Sequence, residues 1–414
     1  MSAIYGKSSL LSAAAASVLL LGLGVGGKAY AADLGGGCCG DLEERVAELE
    51  ATTARKGNRV VSFQVSGQVN KALMLWGDGV DSDAFIVDPD SDGSRVTFSG
   101  KAQIKPGWSA GYTLEFNFRD AESQNVNNDS KNGDDPKDNF SIRRNFWYIE
   151  SERLGRITVG QAEDATDGIN EIDIATTYST VSKTHYAGAF GIRTGGGTGV
   201  GDGAFKWQDV LGAIGGTEDD VIRYDTPSIY GFIVSASWGD NDVWDVALKF
   251  AKQFNSIKIA AGIGYLEDQR SNTPGDLTNV NSQLSGSISA MHVPTGLFLT
   301  FAAGQRDQRS SDTDATNLYF KGGIQRKWNA LGDTTLWADY AKFEGFGEGV
   351  TVGTLTLTDS AAEVWGFGVT QAIDAASMNI YALAQFYSSD LEANNSALDT
   401  EDHYTVLIGS HLKF

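Results

Sequence analysis

Val61-Ser62-Phe63-Gln64-Val65-Ser66-Gly67-Gln68-Val69-Asn70-Lys71-Ala72-Leu73-Met74-Leu75 is the stretch on which the architecture turns. Val61, Phe63, Val65, Val69, Leu73 and Leu75 fall on one side of a two-residue rhythm, and Ser62, Gln64, Ser66, Gln68 and Asn70 on the other. Successive side chains of a strand point to opposite faces, so the segment reads as a strand with one apolar and one polar surface. Lys71 falls on the apolar side, which predicts either a bulge or a lysine reaching for the headgroups of a bilayer.

The same alternation continues outward from this segment. It recurs in Val96, Phe98, Ala102 and Ile104, then after the turn Lys105-Pro106-Gly107 in Trp108, Ala110, Tyr112, Leu114, Phe116 and Phe118. Further runs are Trp244 to Phe250, Ile259 to Tyr265, Leu297 to Ala303 and Met378 to Phe386. Brief turns near Pro106, Leu154, Ser228, Asn255, Pro294, Ala330 and Ala375 mostly alternate with longer polar loops. The connection near Gly239 to Asp242 is a short one on the long-loop side. The count comes to about sixteen strands, an even number that puts both termini on the short-turn side.

At the N-terminus Lys7 precedes an apolar run from Leu10 to Gly27 and a small-x-small pattern, Ala29-Tyr30-Ala31. This reads as a signal peptide over residues 1–31, cleaved near Ala31, rather than a membrane anchor. The leader carries Lys7 and Lys28 and no acid, so its removal takes the formal charge from -21 to -23. So acidic a chain is no nucleic-acid binder. Only 6 Pro, 4 Met and 4 His stand against 50 Gly and 14 Tyr, a balance suited to a large β-protein. Asp-rich stretches such as Asp78 to Asp92 and Asn125 to Asp138 read as solvated loops. Cys38 and Cys39 are adjacent, which excludes a disulfide framework. They lie past the cleavage site, which argues against a lipid-anchored cysteine, and no histidine is near enough to suggest a metal site. Within residues 32–58, Leu42, Val46 and Leu49 form one stripe of a short amphipathic helix. Helix nucleation is costly at this length, so it pairs with further copies in a trimer or lies on its own barrel.

No stretch beyond the leader approaches the roughly twenty apolar residues that a spanning helix needs, so insertion into a membrane must use strands. A sheet in hydrocarbon must close, because each unpaired edge N–H or C=O costs several kcal/mol. Residues 59–414 are therefore expected to form an all-β, transmembrane antiparallel β-barrel, apolar side chains toward lipid and polar ones toward an aqueous lumen. A soluble sandwich would need the apolar faces to meet in one core. Aromatic strand ends (Phe116 and Phe118, Phe146 and Tyr148, Trp238, Tyr265, Trp337 and Tyr340) read instead as interfacial girdles. In the last strand Tyr404, Val406, Ile408, Leu412 and Phe414 share the apolar side. A terminal aromatic such as Phe414 resembles the signal by which outer-membrane barrels engage their assembly machinery.

From Gly37-Cys38-Cys39-Gly40-Asp41-Leu42-Glu43-Glu44-Arg45-Val46 through Lys56-Gly57-Asn58-Arg59, the sequence resembles the alphaproteobacterial porin family. The resemblance continues through Val65-Ser66-Gly67-Gln68-Val69-Asn70, Gly155-Arg156-Ile157-Thr158-Val159-Gly160-Gln161 and Val221-Ile222-Arg223-Tyr224-Asp225-Thr226-Pro227. It implies a homotrimer of sixteen-stranded barrels in the bacterial outer membrane, each with its own pore, narrowed by a third long loop folded inward. The expected partners are other copies of the chain, outer-membrane lipid, the assembly machinery, and small hydrophilic solutes and ions. No cofactor, metal or catalytic group is expected.

Residues 163–218 form by far the longest segment without strand pattern, and a loop of such length in a compact protein is functional or disordered. Its first half could form a short helix through Ile169, Ile172 and Ile174, and Gly195, Gly196 and Gly197 allow sharp bends. Read as a constriction loop, it would present Glu163, Asp164, Asp167, Glu171 and Asp173 to the channel; read as an external loop, these acids simply meet solvent. Lumen parity selects Arg95, Lys101, Arg119, Arg143, Arg156 and Arg223 as an opposing basic wall, with Arg144 competing with Arg143 where the register is mixed. Always-charged arginines facing carboxylates would set up a transverse field across the pore. The acidic excess leans toward cation selectivity, although loop charges are screened within about 10 Å at 0.1 M salt.

Two other kinds of function compete. An enzyme would need a nucleophile with a positioned base, and His185, His292, His403 and His411 have no such motif nearby. A sugar-specific channel would use lumen aromatics, for which Trp147, Trp365 and Tyr381 are candidates. A structural anchor acting through residues 38–57 is compatible with a channel.

Overall fold

The computed structural model describes residues 61–130, 140–239, 242–268, 280–309, 311 and 313–414. The leader, the cysteine pair and the amphipathic segment lie outside the described residues. The strands of the described residues, in chain order, are β1 (Gln64–Gly77), β2 (Ser82–Val87), β3 (Arg95–Lys105), β4 (Trp108–Phe118), β5 (Phe140–Ser151), β6 (Gly155–Glu163), β7 (Glu218–Asp225), β8 (Phe232–Gly239), β9 (Val243–Phe254) and β10 (Ile257–Asp268). They continue as β11 (Val280–His292), β12 (Leu297–Gln308), β13 (Ala315–Arg326), β14 (Thr334–Glu344), β15 (Thr351–Val352), β16 (Leu355–Ile373), β17 (Met378–Ala393), β18 (Ser396–Leu398) and β19 (His403–Lys413).

Wall neighbours pair antiparallel in chain order, and β1 closes the ring by pairing with β19. β15 and β18 only extend hairpins beyond the wall. β2 and β3 share one place in it: β2 pairs with Ala72 to Gly77 of β1 and β3 with Gln64 to Gln68. The wall is thus a closed antiparallel barrel of sixteen strand positions. Closure explains the absence of spanning helices among the described residues, since every wall strand finds its backbone partners laterally.

The rhythm of β1 comes out as expected, Val65, Val69, Leu73 and Leu75 being exposed outward while Gln68 and Asn70 are buried. Leu299 is 71% and Trp365 60% exposed on the outer wall. An apolar surface of this extent belongs in lipid. At the seam, Gly67 donates to the Phe414 carbonyl at 2.9 Å and Phe414 donates back at 3.0 Å. The Phe414 ring covers Gly67 so closely that a Cβ there would stand 2.6 Å from it.

Lys71 follows neither expectation. The register of β1 with β19 is unbroken from Gln68↔Lys413 to Gly77↔Tyr404, so there is no bulge. The half-exposed Lys71 instead meets the carboxylate of Asp88 at 2.5 Å, and that carboxylate is fully buried. Asp88 is the first residue to leave the wall between β2 and β3, and the ion pair fills the place where a ladder residue would stand. The Asp78 to Asp92 stretch is a solvated loop only in part: β2 runs through it, Asp81 and Asp83 are exposed, and Asp78 and Asp88 are buried and each is hydrogen-bonded. The girdle also needs correction. Phe146 and Tyr148 pair across from Thr113 and Gly111 and face inward, as does the buried Trp337. Phe116, Phe118, Trp238, Tyr265 and Tyr340 face outward, Tyr340 against Trp365 at 4.4 Å.

Candidate constriction site

The segment between β6 and β7 runs inside the barrel. Asp164 starts it, its carboxylate accepting from the amides of Thr166 and Asp167 at 3.0 and 2.8 Å and from that of Thr217 at 3.0 Å, so one side chain ties both ends of the loop. Side chains of this kind draw amides away from helical pairing. Over the stretch expected to be helical only a 3-10 turn forms, Ile169–Glu171, entered through Gly168 at φ 68. The helix expected through Ile169, Ile172 and Ile174 does not form, because the amides of Ile172 and Ile174 donate to Ser287 and Ser289 of β11 instead. Gly195, Gly196 and Gly197 do make the sharp bend, with φ of 53, 67 and 85.

Two buried lysines hold the middle of the loop to the wall. Lys183 Nζ lies 2.8 Å from Asp339 of β14, with both side chains fully buried, and also donates to Ser179. Asp339 accepts further from Ser179 Oγ at 2.6 Å and Tyr319 OH at 2.9 Å. Burial pulls the Lys183 pKa down even though Asp339 favours its charge. Lys321 of β13 reaches Asp173 at 2.7 Å. Tyr178 stacks on Tyr381 at 4.1 Å and shares a hydrogen bond with His411. Farther along, Phe190, Phe205 and Trp207 join Trp76, Phe343 and Tyr387 of the wall in one apolar cluster. His403 sits among them, 4.8 Å from Phe190.

A second junction joins three loops. His185 Nδ1 lies 2.8 Å from Asp90, which also receives Arg119 at 2.5 Å, and Arg119 reaches Glu122 at 3.0 Å. Burial depresses the His185 pKa, but hydrogen bonding to Asp90 and its charge outweigh that and raise it. Asp90 is correspondingly held below the usual carboxylate range. Nearby, Arg193 binds Asp78 at 2.8 Å.

The loop acids meet the wall at a ring of charge. A bulge in β5 opposite Glu115 and Phe116 brings Arg143 and Arg144 together on the lumen side, resolving the choice between them in favour of both. Arg143 pairs with Glu115 at 2.7 Å and with Glu218; Arg144 pairs with Glu163 and lies 3.9 Å from Glu115; Arg95 is also 3.9 Å from Glu115 and 2.7 Å from Asp92. Arg223 holds Asp225 at 2.7 Å and donates to the carbonyls of Glu163 and Asp164. Lys249 of β9, which sequence reasoning passed over, lies within electrostatic reach of Arg223, Asp225, Glu163 and Asp167. Its signal was available: Lys249 has the opposite parity to Val246, Leu248 and Phe250. The remaining expected bases stand apart. Lys101 pairs with Glu150 toward the turn end, Arg119 belongs to the three-loop junction, and Arg156 stacks on Tyr148.

Among the loop acids, Glu163, Asp167 and Glu171 remain partly exposed, whereas Asp164 is buried and Asp173 is engaged by Lys321. Burial, reinforced by Glu163, Glu218 and Glu171, pushes the Asp167 pKa up to about 7. Burial and the neighbouring Asp245 push Asp164 to about 8. Carboxylate oxygens of Glu163, Asp167 and Glu218 come within 4.8 Å of one another. Arg144 and Arg143 already compensate two of them. Of the aromatics considered for stacking sugars, Trp147 and Trp365 point outward and Tyr381 lies under Tyr178.

A family model described as Gram-negative porin matches residues 13–404. Among solved structures, in-vitro folded OmpT, an outer membrane protein of Vibrio cholerae, superposes with a TM-score of 0.53 at 14% identity, covering 87% of this chain and 99% of its own. OmpF of Salmonella typhi in complex with daunomycin superposes at 0.53 with 13% identity, covering 85% and 97%. A trimer form of the Vibrio cholerae OmpT gives 0.51 at 14%, covering 86% and 100%. At these identities the likeness speaks for the fold alone. No curated protein matches the chain.

Proposed function

Since the chain belongs to the family of Gram-negative porins, an outer-membrane channel, we propose that its pore is a passive water-filled path whose narrowest zone is lined by the loop acids and the arginines of β3, β5 and β7. The observation that carries this reading is the charged cluster itself, in which Glu163 and Glu218, at the ends of β6 and β7, pair directly with Arg144 and Arg143 of β5, with Asp167 beside the two acids and Arg95 and Arg223 on the flanking strands. Fixed charges of both signs lining an aqueous path orient polar solutes and disfavour apolar ones. Residues 163–218 then act as the constriction loop, held in place by the buried lysines.

The chain works as a homotrimer and has no catalytic role. Acids and bases are closely matched in the narrow zone, and Asp167 is about half-ionised near neutral pH. Cation preference is therefore weak at pH 7, far weaker than the overall acidity suggests. The test is the zero-current potential in a salt gradient for Glu163→Gln/Asp167→Asn. A shift toward anions supports the zone; an unchanged potential removes these residues from the permeation path.

A further inference from the structure

The inner wall carries its shortest side chains where the loop lies against it. Ser235, Ala247, Gly264, Ser285 and Gly304 are consecutive register partners across β8 to β12, and Gly262 pairs with Ser287 one row below. Both ends of the loop rest on this floor. Thr166, on the way in, covers Gly264, and Ile214, on the way out, covers Gly304, so the two contacts flank Ser285. A Cβ on Gly264 would stand 2.7 Å from Thr166 Cγ2, and one on Gly304 would stand 2.9 Å from Ile214 Cβ. A Cβ on Gly262 would meet the Cδ1 atoms of Ile169 and Ile172 at 2.8 and 2.9 Å.

Hydrogen bonds draw the loop equally close. The Ala165 amide donates to Ser237 at 2.9 Å, the Thr166 amide to Asp245 at 2.6 Å and the Gly215 amide to Gln283 at 2.6 Å, while Ser287 donates to the Ile169 carbonyl. Carbon atoms settle about 3.5–4.0 Å apart, so a methyl group at Gly264 or Gly304 would push the loop back by roughly 0.6–0.8 Å. Neither neighbour can swing aside. Ile214 is fully buried and meets Gly304 through its Cβ, which moves only with the backbone, and the Thr166 amide is held by Asp164 and Asp245.

We propose that Gly262, Gly264 and Gly304 are positioning residues that set the bore of the pore: their missing side chains fix how far the loop stands from the wall of β10 to β12, and so the largest solute that passes. They act through the loop. The lysine clamp at Asp339 decides whether the loop is docked, and this glycine floor decides where. The inference rests on the reading of residues 163–218 as the constriction loop and names the wall positions that determine its size limit.

The experiment compares wild type, Gly264→Ala/Gly304→Ala and Lys183→Met as refolded, heat-modifiable chain in planar bilayers, reading unit conductance and the smallest polyethylene glycol that the pore excludes. With the lysine clamp intact the loop stays docked and moves inward. The glycine double variant should therefore lose unit conductance and exclude a smaller polymer than wild type does, without added noise. Thr166→Ala added to Gly264→Ala removes the methyl that the new Cβ meets and should restore both readings, an effect that a merely destabilising substitution would not show. Gly262→Ala, which meets only the ends of two side chains, serves if the double variant does not fold, and should show the same loss in smaller measure. Folded glycine variants with wild-type conductance and size limit, or with larger and noisier currents, overturn the proposal, as does a Thr166 substitution that restores nothing. If Lys183→Met also leaves the conductance unchanged, the constriction reading fails too; a change in Lys183→Met alone confines the failure to the glycine floor.

Discussion

Replacing Lys183 by Met removes the ammonium that ties the inward-folded loop to Asp339 and leaves a fully buried carboxylate without its counter-charge. Asp339 keeps its hydrogen bonds from Ser179 and Tyr319, so its cavity stays polar while its net charge becomes uncompensated. Breaking one side of a buried ion pair costs about 3–5 kcal/mol. The sixteen-strand wall does not depend on this contact, so the cost falls on docking of the loop. At about 1.4 kcal/mol per tenfold, the undocked population rises by roughly two to nearly four orders of magnitude. Lys183→Met should then give larger and noisier single-channel currents and faster protease cleavage within residues 164–217, with the wall still folded. Adding Asp339→Asn removes the orphan charge and should restore most of the quiet, wild-type conductance. If Lys183→Met matches wild type in conductance, noise and cleavage, or if the second substitution changes nothing, the clamp is not what holds the loop.

Three further outcomes follow from the same geometry. The folded pKa of His185 is raised, so its contribution is full below about 6.5 and is lost as pH rises through the folded value; Asp164 and Asp167 are also raised, binding protons in the folded state between about 4 and their values of about 8 and 7, so stability again falls as pH rises. Loop attachment should weaken and cation preference grow from pH 6 to 9, checked by noise and zero-current potential; stronger attachment or unchanged selectivity on alkalinisation would contradict this. Glu115→Gln frees Arg95, Arg143 and Arg144 from their shared carboxylate and should turn the zero-current potential toward anions, with no change counting against the charged ring. Gly67→Val drives a side chain into the Phe414 ring and the Arg95 carbonyl, and should lower the fraction of chain that refolds to the heat-modifiable form; wild-type yield would argue against this seam.

The wall was legible because period two is a strong local signal repeated along the chain, and the lipid-facing parity of β1 held at Val65, Val69, Leu73 and Leu75. What escaped depends on partners distant in sequence. Lys71 could not be placed without Asp88, since the gap it fills exists only where β2 and β3 share a wall position. The Ile169 to Ile174 spacing looked helical, but the competing acceptors, Ser287 and Ser289, lie 115 residues away. Phe146, Tyr148 and Trp337 were assigned to girdles from composition at strand ends, where parity against Gly111 and the neighbouring strands turns them inward. The bulge that unites Arg143 and Arg144 left only a trace, a mixed register from Ile142 to Tyr148. The loop acids were chosen by position, but their separate contacts, Asp164 tying the loop ends and Asp173 engaging Lys321, needed the fold.

The claim beneath all of this is that the barrel encloses a continuous aqueous path through the membrane. Single-channel recording of the detergent-refolded mature chain in a planar bilayer tests it most directly. Discrete, ohmic steps whose size follows the bulk conductivity of the salt are predicted; folded, heat-modifiable protein that inserts and yet carries no current would contradict it.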